Sequence, residues 1–255
     1  MPQPPKQNLS MAGCTHAGCA RPNNEDSIFF QKTLNENALL AIVADGMGGH
    51  VGGAIASSLC TAQFERAWLS SYGLVEHINC DWLGAVTNEA YVAIRERILK
   101  EPELLSMGTT LVALFLRQLS SESIAYIAHI GDSRCYHFSQ GMLRQLTRDH
   151  SLVQCMIDEG ALSVDEAKHS PLRNYLTRSL GGGAEEMQVD CLSVSAQLGD
   201  RFLLCSDGLT NILSPHDIEA ILLANVDDKA ACEQLLALSL ARDANDNVSV
   251  VLCTA

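Results

Sequence analysis

The sequence predicts an α+β layered domain, and three observations point to it. Apolar, strand-type runs fall into two blocks; two consecutive helical patterns separate the blocks; and the regular strand–helix–strand alternation of a doubly wound sheet is missing. A chain of 255 residues with 47% hydrophobic content can bury one large core. The expected organisation is a disordered, proline-containing tail over 1–9 and a single domain over 10–255, with no internal repeat or linker.

Taken in order, short β-type runs come first, at Ser10 to Ala17, Ser27 to Gln31 and Ala38 to Ala44. The last, "ALLAIVA", has no polar member and reads as a buried strand. Helical patterns follow at Ala54 to Trp68 and at Asp81 to Leu99, where Leu83, Val86, Ala90, Ala93, Ile94 and Arg97 recur at three-to-four spacing. These helices should cover a sheet. The second β block is "TTLVALFLR", "SIAYIAHI" and "RCYHFSQGMLRQL", the last broken by Gln140-Gly141 as in a hairpin. From His150 to Tyr175 the chain is polar and locally helical. "RFLLCSD" restores a strand, Asp217 to Asn225 and Asp228 to Arg242 read as helices, and "NVSVVLC" closes the chain as a strand.

The formal charge of -13 excludes a general nucleic-acid binder, which neutralises phosphates with clustered lysine and arginine. No apolar run is long enough to span a bilayer, and "MPQPPKQNLS" lacks the apolar centre of a signal peptide, so a cytoplasmic protein without a membrane partner is expected. The ten cysteines lie scattered in apolar segments without a C-x-x-C pair, which suits reduced core residues better than a disulfide framework. Cys14, His16 and Cys19 of "CTHAGC" offer zinc-ligand types, but alternation beside a first strand explains them as well.

The chemistry concentrates in carboxylates at strand edges. Asp45 follows the run Ala38 to Ala44, Asp132 follows "AHI", and Asp207 follows "FLLCS". Glu25 and Asp26 precede the strand "SIFF", and Asp246 precedes the last strand. Each alone reads as a turn or cap residue. If the strand ends converge, however, cations must offset the mutual repulsion, and oxygen-only ligands select Mg²⁺ or Mn²⁺. Gly46, Gly48 and Gly49 after Asp45 then let backbone approach an ion closely, with a carbonyl available as a ligand. Asp45 could give one oxygen to each of two ions, which would polarise a water and offset phosphoryl charge. Arg21 supplies a planar fork for phosphate oxygens.

"RPNNED", "VADGMGGH", "MGTTL", "HIGDSR", "SDGL" and "DNVSV", in this order from Arg21 to Val250, resemble the metal-dependent serine/threonine protein phosphatases of type 2C in their compact bacterial form. The resemblance implies a central β-sandwich of two antiparallel sheets flanked by pairs of helices, a four-layer αββα fold. It implies two Mn²⁺ or Mg²⁺ ions bridged by Asp45, one completed by Asp207 and Asp246, the other by Glu25 and the Gly46 carbonyl, with Asp26 orienting waters. Arg21 matches the phosphate-binding arginine, and Asp132 with Asp207 matches the holders of a third, weaker ion. The implied activity is hydrolysis of phosphoserine and phosphothreonine in substrates of serine/threonine kinases; a monomer is expected.

Met47 stands where many eukaryotic relatives carry a histidine proposed as general acid; it has no proton to give, so the acid is unassigned. His50 reads as structural. Thr109, Thr110 and Arg134 match motif positions that read as core residues or as supports of the site. Residues at about 151–175 match the family's flap, in which His169 resembles a substrate-handling histidine. Cysteine-based phosphatase chemistry, which needs a cysteine opening a phosphate loop ahead of an arginine, is set aside. The alternative from another class is a catalytically silent phosphoprotein-binding module of the same fold.

Overall fold

The computed structural model describes residues 9–48, 52–71, 75–119, 122–181 and 187–255; Gly49, His50 and residues 1–8 of the expected tail lie outside them. Leu9, the last residue of that tail, is instead buried in the inner core. In chain order the strands and helices are β1 (Ser10–His16), β2 (Ser27–Lys32), β3 (Ala38–Ala44), β4 (Gly46–Met47), α1 (Gly52–Ser70), α2 (Cys80–Lys100), β5 (Gly108–Thr109), β6 (Leu111–Gln118), β7 (Ser123–Ile130) and β8 (Arg134–Ser139). There follow β9 (Met142–Gln145), α3 (Leu152–Asp158), α4 (Val164–His169), β10 (Leu180–Gly181), β11 (Asp190–Ala196), β12 (Arg201–Cys205), α5 (Asp207–Thr210), α6 (Pro215–Ala224), α7 (Asp228–Ala241) and β13 (Val248–Thr254).

Two five-stranded antiparallel sheets, ordered β11-β7-β6-β3-β2 and β1-β13-β12-β8-β9, form the centre. Successive side chains of a strand point to opposite faces, and β3 shows what that does here. Leu39, Ala41 and Val43 pack inward with Val112, Leu114, Phe202, Leu204 and Val251 of the two sheets. Leu40, Ile42 and Ala44 pack outward with Phe64 and Trp68 of α1 and Ile94 of α2. Every β3 residue is therefore buried, which is why the run has no polar member. On the far side Leu203, Cys205, Val250 and Leu252 pack against Ile218 and Leu222 of α6 and Leu235 of α7. Three apolar interiors between four layers give the expected α+β sandwich.

Local chemistry places the elements. Asn79 caps α2 by accepting from the Trp82 N–H at 3.1 Å, and Ser214 opens α6 with a capping box to Asp217. The expected hairpin turns at Gln140 and Gly141, both left-handed at φ 52° and 80°, as a tight two-residue turn between β8 and β9 demands. β11 was not anticipated: among the described residues it is an edge strand paired with β7 alone, and its half-exposed residues make a weak alternating pattern.

One expectation is corrected. Cys80, at the start of α2, and Cys191, on β11, form a disulfide with Cα atoms 5.7 Å apart, so the cysteines are not all reduced. The pairing joins residues 111 apart in sequence and depends on the unanticipated strand. Cys14, Cys19, Cys60, Cys135, Cys155, Cys205, Cys232 and Cys253 are free thiols.

Candidate metal and phosphate site

At one end of the sandwich the strand edges meet. β3 runs out into Asp45, the β7–β8 turn carries Asp132, β12 leads to Asp207 at the head of α5, and Glu25 and Asp246 precede β2 and β13. These five carboxylates, with Arg21, Asn23, Gly46, Met47, Gly48, Thr110 and Asn247, line a cleft of about 500 Å³. A second hollow on the outer face of α1, lined by Ala54, Ile55, Ser58, Leu59 and Ala62, has no titratable side chain.

The backbone of Asp45 is pinned on both sides. Its N–H donates to Thr110 Oγ1 at 3.0 Å, and its carbonyl accepts from the Thr110 N–H and from Thr109 Oγ1, both at 2.9 Å. Thr110 Oγ1 also bonds Ser133 Oγ at 2.7 Å, tying the Asp45 exit to the Asp132 turn. Gly46 then passes so close to α1 that an added Cβ would strike the Gly53 carbonyl, and one on Gly53 would strike Glu25 Oε2. Gly48 has φ +117°, a conformation that favours glycine.

Asn247 and Asp26 hold the opposite wall. Asn247 accepts the Glu25 N–H at 2.8 Å and donates to the carbonyls of Ala17 and Asn23 at 2.9 and 3.0 Å, stapling the Arg21–Glu25 loop to β13. Asp26 lies behind the cleft, its Oδ2 accepting from Ser206 and Ser249 at 2.8 and 2.6 Å, while Oδ1 is buried without a partner among the described residues. Arg21 stands half exposed at the rim, with Nη2 2.9 Å from Asp246 Oδ2.

Electrostatics marks the cluster as short of positive charge. Burial, then repulsion from Asp26, Asp207, Asp132 and Asp246, pushes the Asp45 carboxyl well above its ordinary value, and burial with Asp207 and Asp149 does the same for Asp132. Burial and Asp246 raise Asp207 to about 6, and burial raises Asp26 to about 7 against the hydrogen bonds from its two serines. No three of the described histidine, cysteine and acidic side chains close into a ready ligand set. The donor set nevertheless fits hard divalent ions: it is oxygen-only, rich in crowded carboxylates, beside a glycine cradle, and backed by the unpartnered Asp26 Oδ1.

A protein phosphatase 2C family profile matches residues 14–236, most of the chain and all of these acidic positions except Asp246. The chain belongs to the protein phosphatase 2C family. Among relatives of this phosphatase, the serine/threonine phosphatase stp of Listeria monocytogenes is 36% identical over 242 residues, covering 93% of this chain and 92% of that protein. PstP of Mycobacterium tuberculosis is 35% identical over 253 residues, 96% of this chain but 44% of PstP. The crystal structure of the PstP catalytic domain in complex with two manganese ions superposes with a TM-score of 0.83 at 33% identity, covering 96% and 97% of the two chains. The Streptococcus agalactiae serine/threonine phosphatase gives 0.84 at 31%, covering 97% and 99%.

In this phosphatase 2C chain His169 is exposed at the end of α4 and is not among the residues lining the cleft; from the same segment Asn174 and Leu176 reach it. Arg134 turns away to grip Asp149 with three hydrogen bonds of 2.7 to 3.2 Å. Cys14, His16 and Cys19 bond separately, to the Cys232 carbonyl, the Gly18 N–H and the Leu240 carbonyl. The sequence does hold one Cys-x5-Arg spacing, Cys60 to Arg66. It lies inside α1, and burial pushes the Cys60 thiol up to about 12, so it opens no phosphate loop. Gly53, Ser57, whose Oγ donates to the Glu25 carbonyl at 2.6 Å, Asn247 and the two serines on Asp26 were not anticipated. Asn247 and Ser249, inside "DNVSV", and Ser206, opening "SDGL", had a local signal.

Proposed function

We propose that this protein phosphatase 2C enzyme hydrolyses phosphoserine and phosphothreonine in proteins by direct attack of water, at two Mn²⁺ or Mg²⁺ ions with a weaker third. The observation that carries the reading is the meeting of Glu25, Asp45, Asp132, Asp207 and Asp246 in one cleft. Asp45 would be shared by the two core ions, with Asp207 and Asp246 completing one and Glu25 and the Gly46 carbonyl the other. Asp132 and Asp207 would hold the third. When bound, such ions supply Lewis acidity that activates water and offsets phosphoryl charge.

The chain's own side chains do the positioning. A guanidinium has five N–H donors, so Arg21, giving one to Asp246, keeps others for phosphate oxygens. Asp26 Oδ1 would accept from an ordered water on the cleft side. Asn174 and Leu176 bring the flap to the substrate entrance, and His169, farther out, would meet the peptide around the phosphoresidue. Met47 lines the cleft without a proton to give. Substrates would be products of a serine/threonine kinase. No described helix is long and apolar enough to cross a membrane, and a cytoplasmic monomer is the proposed state.

The test is release of phosphate from p-nitrophenyl phosphate and from a phosphothreonine peptide with Mn²⁺, with and without EDTA. Mn²⁺-dependent release abolished by EDTA is expected. A silent phosphoprotein-binding module would bind the peptide and release nothing.

A further inference from the structure

His150 stands directly before the flap, and its side chain is 3% exposed. Main chain and ring together grip the turn that presents Asp132. The His150 N–H donates to the Gly131 carbonyl at 2.7 Å, and the Gly131 N–H donates to His150 Nδ1 at 3.1 Å. A ring that accepts at Nδ1 carries its proton on Nε2. That nitrogen faces Asp190 Oδ2 at 3.0 Å, and Arg178 Nη1 donates to Asp190 Oδ1 at 2.8 Å while lying 3.3 Å from His150 Nε2. The His129 ring packs alongside at 4.7 Å. Burial, with Arg178 and Arg148 nearby, holds His150 below the ordinary imidazole range, which favours this neutral form.

The same residue fastens the flap. Its carbonyl accepts the Thr177 N–H at 2.9 Å, Ser151 pairs with Leu176, and the Leu152 N–H reaches the Tyr175 carbonyl at 2.8 Å. Asn174 and Leu176, the flap residues that line the cleft, therefore hang from His150. On the other side the turn has nowhere to retreat. Gly131 has φ +104°, and a Cβ there would sit 2.6 Å from Thr110 Cγ2, on the residue that also holds the Asp45 N–H.

We infer that His150 is a positioning residue for the phosphatase reaction: through the Gly131–His150–Asp190 relay it sets the Asp132 turn and the cleft-facing end of the flap as one unit. The inference rests on the proposed role of Asp132 at the weaker ion, where a site with few protein ligands is the most sensitive to where its carboxylate stands. The two ring nitrogens have separable duties. Asparagine places an acceptor near Nδ1, while glutamine places a donor near Nε2.

The experiment compares His150→Ala, His150→Asn and His150→Gln in the full chain by three readouts. These are hydrogen exchange of the 131–132 and 174–177 segments in Mn²⁺-free protein, calorimetric Mn²⁺ titration, and turnover of phosphothreonine peptide against Mn²⁺ concentration. For His150→Ala, exchange should quicken in both segments together, the two tight ions should remain, and the Mn²⁺ needed for half-maximal turnover should rise about 10–100-fold, as for loss of an outer-shell partner. His150→Asn should restore most of the Gly131 protection and Mn²⁺ response; His150→Gln should not. Unchanged exchange and Mn²⁺ response in His150→Ala, or equal defects in the Asn and Gln variants, would overturn the inference. If the alanine variant does not fold, the contrast between Asn and Gln decides alone. An Asp132→Ala control separates the two readings. If it leaves the Mn²⁺ response unchanged, the Asp132 role fails, and His150 is judged on exchange: joint quickening supports the inference and independent behaviour overturns it.

Discussion

Asp207→Asn should stop turnover and yet stabilise the metal-free protein. Folding raises the Asp207 carboxyl from 3.8 to about 6, through burial first and Asp246 second. Between those values the folded chain holds more protons than the unfolded one, so stability falls as pH rises through the window and stays lower above it. The shift corresponds to about 3 kcal/mol at pH 8. Because Asp207 keeps part of its surface in the cleft, screening brings the expected gain on neutralisation to about 2 kcal/mol. Asparagine retains an oxygen for the Asn211 Nδ2 donor now 3.0 Å away, so little is lost in exchange. Urea unfolding in EDTA should show the variant about 2 kcal/mol more stable than wild type at pH 8, with the difference vanishing at about pH 3, below the unfolded value. Phosphopeptide turnover at saturating Mn²⁺ should drop at least about a thousandfold, or about 4 kcal/mol of barrier. An aspartate serving only to open α5 would do the reverse. A destabilised variant at pH 8, or one keeping more than about a tenth of wild-type turnover, refutes the reasoning.

Arg21→Ala should raise the apparent KM for phosphopeptide and weaken inhibition by inorganic phosphate while calorimetry still counts both core ions; phosphate inhibition equal to wild type would make Arg21 a surface partner of Asp246 only. Asp132→Ala should keep two tight ions and lose most phosphopeptide turnover, with less effect on p-nitrophenyl phosphate, whose leaving group needs no proton; equal losses on both substrates contradict a role in alkoxide departure. Cys80→Ser should lower the unfolding free energy by about 2–4 kcal/mol under oxidising conditions and alter kcat less than about twofold, measured by urea denaturation with and without reductant; identical midpoints mean the pair is reduced in solution.

What the sequence made legible follows from what is local. β3 was visible because burial on both faces removes every polar residue, and the β8–β9 hairpin because Gln140-Gly141 supplies the left-handed turn. Asp45, Asp132, Asp207 and Asp246 stood out as acids at strand edges, but their meeting in one cleft followed only from the resemblance, since strand order is not written in any one segment. What escaped acts across distance. β11 leans on a single neighbour, and its cysteine finds a partner 111 residues away. Ser206 and Ser249 reach Asp26 from 180 and 223 residues off. His150 marks only the start of a polar stretch until the fold lays Gly131 against its ring. His169 shows the converse, since a motif match placed it in the flap but could not say which flap residues face the cleft.

The central claim is that these strand ends hold a dinuclear centre, and a crystal soaked in Mn²⁺ and recorded at the manganese edge tests it most directly. Two strong anomalous peaks are predicted in the cleft, both within ligand distance of Asp45, one also beside Asp207 and Asp246 and the other beside Glu25 and the Gly46 carbonyl. A cleft without peaks at millimolar Mn²⁺, or manganese bound elsewhere while the protein hydrolyses phosphopeptide, would contradict it.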